Sequence, residues 1–335
     1  MQTPTRLRPI AVAAAIVTVQ ALLVAFFAWP AIRTAPRDLP IVVAGPAPVA
    51  AAAADRMTAA RPGAFEVTVV SDAAAADQAL RDREAYAAIV LGTDGAALHV
   101  ASAASPVVAQ LMTAQTQALG GGEQVRVVDV VPADPDDPRG AGLAASFLPL
   151  LLTSIVAAIV LILLVSGAWA RVTGLVTYAI LAGLAATAIL QYGYDALPGS
   201  YLANAGAMAL TAGAIAAGVA GLGAVLDRPG LGLGAVLVFV IGNPLSGLAS
   251  APELLPQPWG AIGQFLPPGA GATLLRSVAF FDGAGGAVAL WTLAAWTVAG
   301  LALVAVGRRG ALAGHPAATS SATGTPAAPA VTVDA

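Results

Sequence analysis

Residues 143–168 read LAASFLPLLLTSIVAAIVLILLVSGA, with no Asp, Glu, Lys or Arg among them. A bilayer core is about 30 Å thick, and a helix rising about 1.5 Å per residue crosses it in roughly 20 residues. Inside lipid each main-chain N–H and C=O must be satisfied within the segment, so a run of this length is predicted to be a helix. Five more stretches meet the same test: 10–29, 172–192, 201–226, 231–250 and 287–307. The fifth in chain order, 231–250, is the weakest, because Asn243 and Pro244 interrupt it.

Composition agrees with this reading. The chain has 335 residues, 58% hydrophobic and only 10% charged, where a soluble domain carries about a quarter charged residues. Cysteine is absent, which excludes disulfides, thiolate nucleophiles and Cys-based metal sites. Only His99 and His315 could act as imidazole ligands, so a His-rich centre is excluded as well. All 15 basic residues are arginine. The ATPase phosphate-binding loop needs a lysine that reaches the terminal phosphates, so this chain cannot hydrolyse ATP through that motif.

Two arginines, Arg6 and Arg8, precede the first span. The apolar region of a cleaved signal runs to about 7–15 residues, shorter than the stretch from Ile10 to Trp29, so a retained anchor is expected. Alternating six spans puts both termini and two short loops on one side. That side holds Arg6, Arg8, Arg171, Arg228, Arg308 and Arg309 against Asp227 and Asp334. The opposite short loops hold Asp195, Glu253 and Asp282 against Arg276. Arginine near membrane spans marks the cytoplasmic side, so both termini are expected there.

Residues 31–141 then lie outside the cytoplasm, carrying 13 acidic residues against 8 arginines. Runs rich in β-branched or aromatic residues at Leu39–Ala44, Phe65–Val70, Tyr86–Leu91, Ala96–Ser102 and Val125–Val131 predict strands. The Ala-, Gln- and Leu-rich segments 47–60, 73–84 and 105–119 predict helices between them. Such alternation gives a sheet with helices packed on it. Pro132–Gly140 (PADPDDPRG) reads as a linker, and its three Asp lack the alternating spacing and central Gly of a calcium loop.

The predicted fold is a polytopic α-helical membrane protein with six transmembrane helices and an extracytoplasmic α/β domain between the first and second. Its parts are a cytoplasmic N-terminus (1–9), a first transmembrane helix (10–30), the α/β domain (31–141), a five-helix bundle (142–310) and a disordered cytoplasmic tail (311–335). The segment 251–285 inside the bundle is predicted to be re-entrant or interfacial. Pro256, Pro258, Pro267 and Pro268 break it into short pieces, and it is too apolar for a water-exposed loop. It holds the candidates for an external gate: Trp259, Phe265, Pro267, Pro268, Arg276 and Asp282, with Arg276 and Asp282 expected near the outer surface. A structural plug over the bundle is the other reading of the same segment.

No span carries an Asp, Glu, His, Lys or Arg, which argues against a proton-driven transporter working alone. Ala209, Gly213, Ala217 and Gly221 recur four apart, a spacing that lets helices or subunits approach closely and that an Ala/Gly-rich chain also produces by chance. His99 falls in a predicted strand and is read as a partly buried strand residue. No Gly-x-Ser-x-Gly turn is present, so no catalytic residue is assigned and an enzyme is not expected. No cofactor or metal site is expected, and with no basic patch on the α/β domain, no nucleic acid.

Three segments carry a resemblance to a known family: Tyr86–Leu91 (YAAIVL), Val131-Pro132 with Asp137-Pro138-Arg139-Gly140, and Leu266–Gly283 (LPPGAGATLLRSVAFFDG). With one span, an outside α/β domain and five further spans, the chain resembles membrane subunits of type-2 ABC exporters, in particular their YhgE/Pip-like branch from actinobacteria and other Gram-positive bacteria. The resemblance implies a permease subunit that forms a homo- or heterodimer in the lipid bilayer. It would export an amphiphilic or envelope-associated substrate, energised by a separate ATP-binding subunit. By position, Arg171, Asp227 and Arg228 are the candidates for contacting that ATPase. The alternative expectation is a membrane-anchored binding or assembly protein whose external domain recognises an envelope component or partner.

Overall fold

The computed structural model describes residues 7–93, 95–119 and 125–307. Arg6, Arg308, Arg309 and the tail 311–335 lie outside the described residues, as does most of the segment 1–9. The chain begins with helix α1 (Leu7–Ile32), whose residues 9–25 are exposed throughout. It meets the rest of the molecule through Phe27, which packs on Phe239 at 5.9 Å, and Trp29, which meets Trp259 edge-on at 6.5 Å.

The α/β domain follows as β1 (Leu39–Ala44), α2 (Ala47–Ala60), β2 (Phe65–Val70), α3 (Ala73–Arg81), β3 (Ala87–Gly92), β4 (Gly95–Val100), α4 (Pro106–Leu119) and β5 (Arg126–Asp129). The sheet order is β2-β1-β3-β4-β5, parallel except for the β3–β4 hairpin. Asp72 caps α3 by accepting from the Ala75 amide at 2.9 Å, and that bond holds its carboxyl below its ordinary pKa. Of the linker carboxylates, Asp137 accepts from the Ala141 and Leu143 amides, at 2.7 and 3.1 Å, where the next helix starts.

Because side chains alternate along a strand, β1 feeds both faces of the sheet. Leu39 and Ile41 enter one core with Leu98, Val108 and Met112, and Val42 and Ala44 enter the other with Ala76, Leu80 and Ala88. Neither core is closed by the domain alone. Ala251 and Leu254 complete the first and Phe281 the second, all three being at most 5% exposed. The segment expected to gate or plug the bundle is therefore also part of the hydrophobic core of the α/β domain.

The bundle consists of α5 (Ala141–Leu164), α6 (Ala168–Ala188, continued by a π turn to Gly193), α7 (Tyr201–Ala235, continued by a π segment to Gly242) and α10 (Ala287–Val306). Two helices, α8 (Trp259–Gly263) and α9 (Pro267–Phe280), lie between α7 and α10. Among the described residues, five helices are long and apolar enough to cross a membrane: Pro9–Ile32, Ala141–Leu164, Ala168–Gly193, Tyr201–Gly242 and Ala287–Val306. With the small mixed sheet, this is the make-up of a polytopic membrane protein.

The stretch Tyr201–Gly242 is not a straight rod. Asp227 has φ 57° and ψ −143°, outside the helical region. A methyl group at Gly234 would stand 2.9 Å from Cα of Val219, one at Gly223 would meet the Leu231 side chain at 2.4 Å, and one at Gly230 the Leu222 carbonyl oxygen at 2.1 Å. Partners whose numbers fall on one side as they rise on the other are antiparallel, so α7 is a helical hairpin folded at Asp227. Its second arm stops at Gly242, short of the expected 250, and residues 228–242 extend only about 22 Å at 1.5 Å per residue. Asn243 and Pro244 end it: a proline ring clashes with the helical carbonyl behind it and offers no N–H.

The first arm of α7 is the axis of the bundle, and residues 211–221 are all buried. The small-residue ridge supplies the close approach. Gly183 of α6 lies against Ala205 and Ala209, Gly213 sits between Ala179 and Thr297, and Gly300 of α10 faces Ala217 and Gly221. A Cβ at Gly300 would stand 2.3 Å from the Ala217 carbonyl oxygen, so these positions serve packing within the chain. Gly300→Val is expected to push α10 off α7 and to cost at least about 3 kcal/mol, the scale of severe core overpacking. Thermal unfolding in detergent checks this, with Gly206→Val, where nothing lies within reach of an added Cβ, as the control that leaves the melt unchanged.

Candidate functional site

A cavity of about 700 Å³ lies where the α/β domain meets the bundle. Its walls come from the start of the domain (Arg37, Asp38, Pro40), from Arg83 and Tyr86 before β3, from 246–265, and from α9 and the start of α10. Main-chain bonds fix this joint. The Ala35 amide donates to the Leu254 carbonyl and the Arg37 amide to that of Glu253, each at 3.0 Å, and the Ser105 hydroxyl reaches the Ser250 carbonyl at 2.8 Å.

Three arginines line the cavity, and each is held by carbonyl oxygens. Arg37 donates to Leu254 and Arg33 at 2.9 Å and to Ala35 at 3.1 Å. Arg83 donates to Thr273 of α9 at 3.1 Å and lies over the Phe281 ring, 5.2 Å from its centroid. Arg276 donates to the Leu248 carbonyl and is only 7% exposed. Burial lowers the pKa of both Arg83 and Arg276, and for Arg276 the nearby Arg83 charge adds to the effect, bringing it to about 10. Among the described residues the only basic side chain within 4.0 Å of a carboxylate is His99, whose Nδ1 lies 2.6 Å from Asp77, away from this cavity.

One carboxylate faces the arginines from within the joint. Glu253 accepts the Tyr86 hydroxyl at 2.8 Å, and burial, then the Glu253 charge, drives the phenol far above its usual range, so it stays protonated. The other acids on the wall, Asp38 and Glu66, are exposed. Gln264 braces the opposite side, donating to the Ser246 carbonyl at 3.0 Å and accepting the Thr273 hydroxyl at 2.7 Å. Such a set of fixed donors and one acid–phenol pair suits binding of a polar group.

The fold brings together only part of the predicted gate. Phe265 and Arg276 line the cavity. Pro267 and Pro268 are buried at the first turn of α9, where a missing N–H costs nothing, and Pro268 sits against Gly242. Trp259 is on α8 against Trp29. Asp282 is exposed in the turn after α9, at φ 50°. Arg276, on α9, is buried at the joint: it donates to the Leu248 carbonyl and stands near Arg83 and Tyr86 of the α/β domain.

The three residues expected to contact an ATPase sit at the far end of the bundle. Arg171 is tied to the end of α5, donating to the Val165 and Ile162 carbonyls at 2.8 and 3.0 Å. Asp227 forms the hairpin bend and Arg228 is exposed next to it. Arg37, Arg83 and Glu253 were not singled out from sequence as site residues. Arg83 stands in the charged run RDRE, which has the look of a solvated helix end.

Phe281→Ala removes a core side chain of the α/β domain and the ring beneath Arg83. A loss of about 3–5 kcal/mol is expected, seen as faster proteolytic cleavage in the 132–140 linker while the bundle fragment persists. No protein-family model, curated protein or solved structure matches this chain.

Proposed function

We propose that this protein holds an amphiphilic, envelope-associated molecule at the outer face of the cell membrane, with the joint cavity as its binding site. The observation that carries this reading is the contrast across the cavity. Its inner wall presents guanidinium groups and polar side chains, and its lip presents Phe265 and Val288, 62% and 67% exposed. One turn further along α10, Trp291 is 72% exposed. A polar head and an apolar tail would each find their own solvent there.

The reading takes the chain as crossing the membrane six times, with the two arms of α7 as separate crossings. The far end of the bundle, with Arg171 and Arg228, then faces the cytoplasm by the arginine bias, and the α/β domain faces outward. In this frame the domain and the segment around 251–285 form one receptor unit.

The second reading is a type-2 ABC-like permease subunit, dimeric and driven by a separate ATPase, that exports such an amphiphile. The chain layout and the exposed Arg228 at the hairpin bend favour it. The short connections at that end, 165–167 between α5 and α6 and the bend at Asp227, offer little surface to receive force from a partner.

Purification of the full-length protein in mild detergent tests both. Lipid-like molecules extracted from the purified protein, and a rise in melting temperature when they are added back, support the first reading. A co-purifying ATPase whose activity rises with the amphiphile supports the second. The absence of both a bound amphiphile and a thermal shift would overturn the assignment of the cavity.

A further inference from the structure

The two deepest cations of the cavity are under-neutralised. Arg276 is 7% exposed and Arg83 half-buried, and among the described residues each donates a hydrogen bond to one carbonyl only, Leu248 and Thr273 respectively. A guanidinium has five N–H donors. No carboxylate lies within 4.0 Å of either among the described residues. Glu253 is engaged by Tyr86 at 2.8 Å, and Asp38 and Glu66 are exposed. The inner wall therefore holds one buried and one half-buried positive charge against one half-buried carboxylate. A buried charge without a full partner is costly, and a bound anion would relieve that cost.

We propose that the cavity is an oxyanion site, and that its ligand is an amphiphile with a phosphate-bearing, anionic head held between Arg83 and Arg276. The planar fork of arginine matches the paired oxygens of phosphate, and two forks on one wall suit a group with several oxygens better than a single carboxylate does. The lip at Phe265 and Val288 takes the apolar part. This inference rests on the amphiphile-binding reading above and narrows it to a charge class.

The test uses full-length protein in neutral detergent with four probes: short-chain phosphatidylglycerol, short-chain phosphatidylcholine, short-chain diacylglycerol and glycerol phosphate. Phosphatidylglycerol is expected to bind at least about tenfold more tightly than diacylglycerol, since hydrogen bonds to charged groups are the stronger class. Phosphatidylcholine, whose cationic choline offsets the phosphate, should fall between them. Arg83→Gln and Arg276→Gln should each abolish most of that preference. Glu253→Gln, which keeps an acceptor for Tyr86 but removes the negative charge, should tighten phosphatidylglycerol. It carries the test should Arg276→Gln fail to fold.

Equal binding of diacylglycerol and phosphatidylglycerol, unchanged in the variants, would overturn the oxyanion site while leaving an amphiphile site standing. Glycerol phosphate binding as tightly as phosphatidylglycerol would overturn the amphiphilic ligand and assign the site to a free phosphate compound. Weaker phosphatidylglycerol binding in Glu253→Gln would also overturn the proposal. No binding of any probe would remove both this inference and the reading it rests on.

Discussion

The α/β domain cannot close its own hydrophobic core. Both faces of its sheet bury apolar side chains, and each face is completed from the segment between α7 and α10, by Ala251 and Leu254 on one side and Phe281 on the other. Burying a side chain such as Leu or Phe contributes about 1.5–3 kcal/mol, so these three residues make the domain and the bundle depend on each other. The remaining architecture follows from that dependence. The chain has to leave the bundle after Gly242, reach the domain, turn back at Phe265 and climb again as α9. A short second arm of the α7 hairpin and a proline-broken connection are what such a path requires.

A seam between a soluble-type domain and an apolar bundle is an awkward place for the main chain. The segment 246–266 is largely irregular, and its carbonyls must be satisfied without a sheet or a long helix. Arginines do this work at Leu248 and Leu254, and Arg83 ties the domain to the Thr273 carbonyl of α9. The same choice concentrates positive charge around a cavity, because carbonyls take a hydrogen bond without neutralising the cation. The groups that hold the joint together are thus also those that give the cavity its polarity.

Much of this was legible in the sequence, for physical reasons that differ by element. The strands Leu39–Ala44 and Phe65–Val70 and the helix 47–60 begin and end where local composition places them, because prolines, glycines and aspartates bound them. Hydropathy marks the long helices because lipid removes water as a partner for the main chain. The hairpin was only half visible: Asp227, Arg228 and Pro229 signal a break, but the early stop at Gly242 depends on where the chain must go next. The small ridge at Ala209, Gly213, Ala217 and Gly221 was visible as spacing, while its partners Gly183 and Gly300 lie on other helices and no local pattern names them. The site was the least legible part. Arg276 in an apolar segment suggests a residue near a surface, and only tertiary contact buries it. Arg83 and Glu253 are far apart in sequence and come together through the shared core.

Photolabelling the full-length protein with an amphiphile that carries a diazirine in its apolar chain tests the central claim most directly, since it reports where the molecule sits. The account predicts label concentrated on 259–266 and on the first turns of α10, and competed away by unlabelled amphiphile. Label spread evenly over the exposed faces of α1, α5 and α6, with no competition, would contradict it.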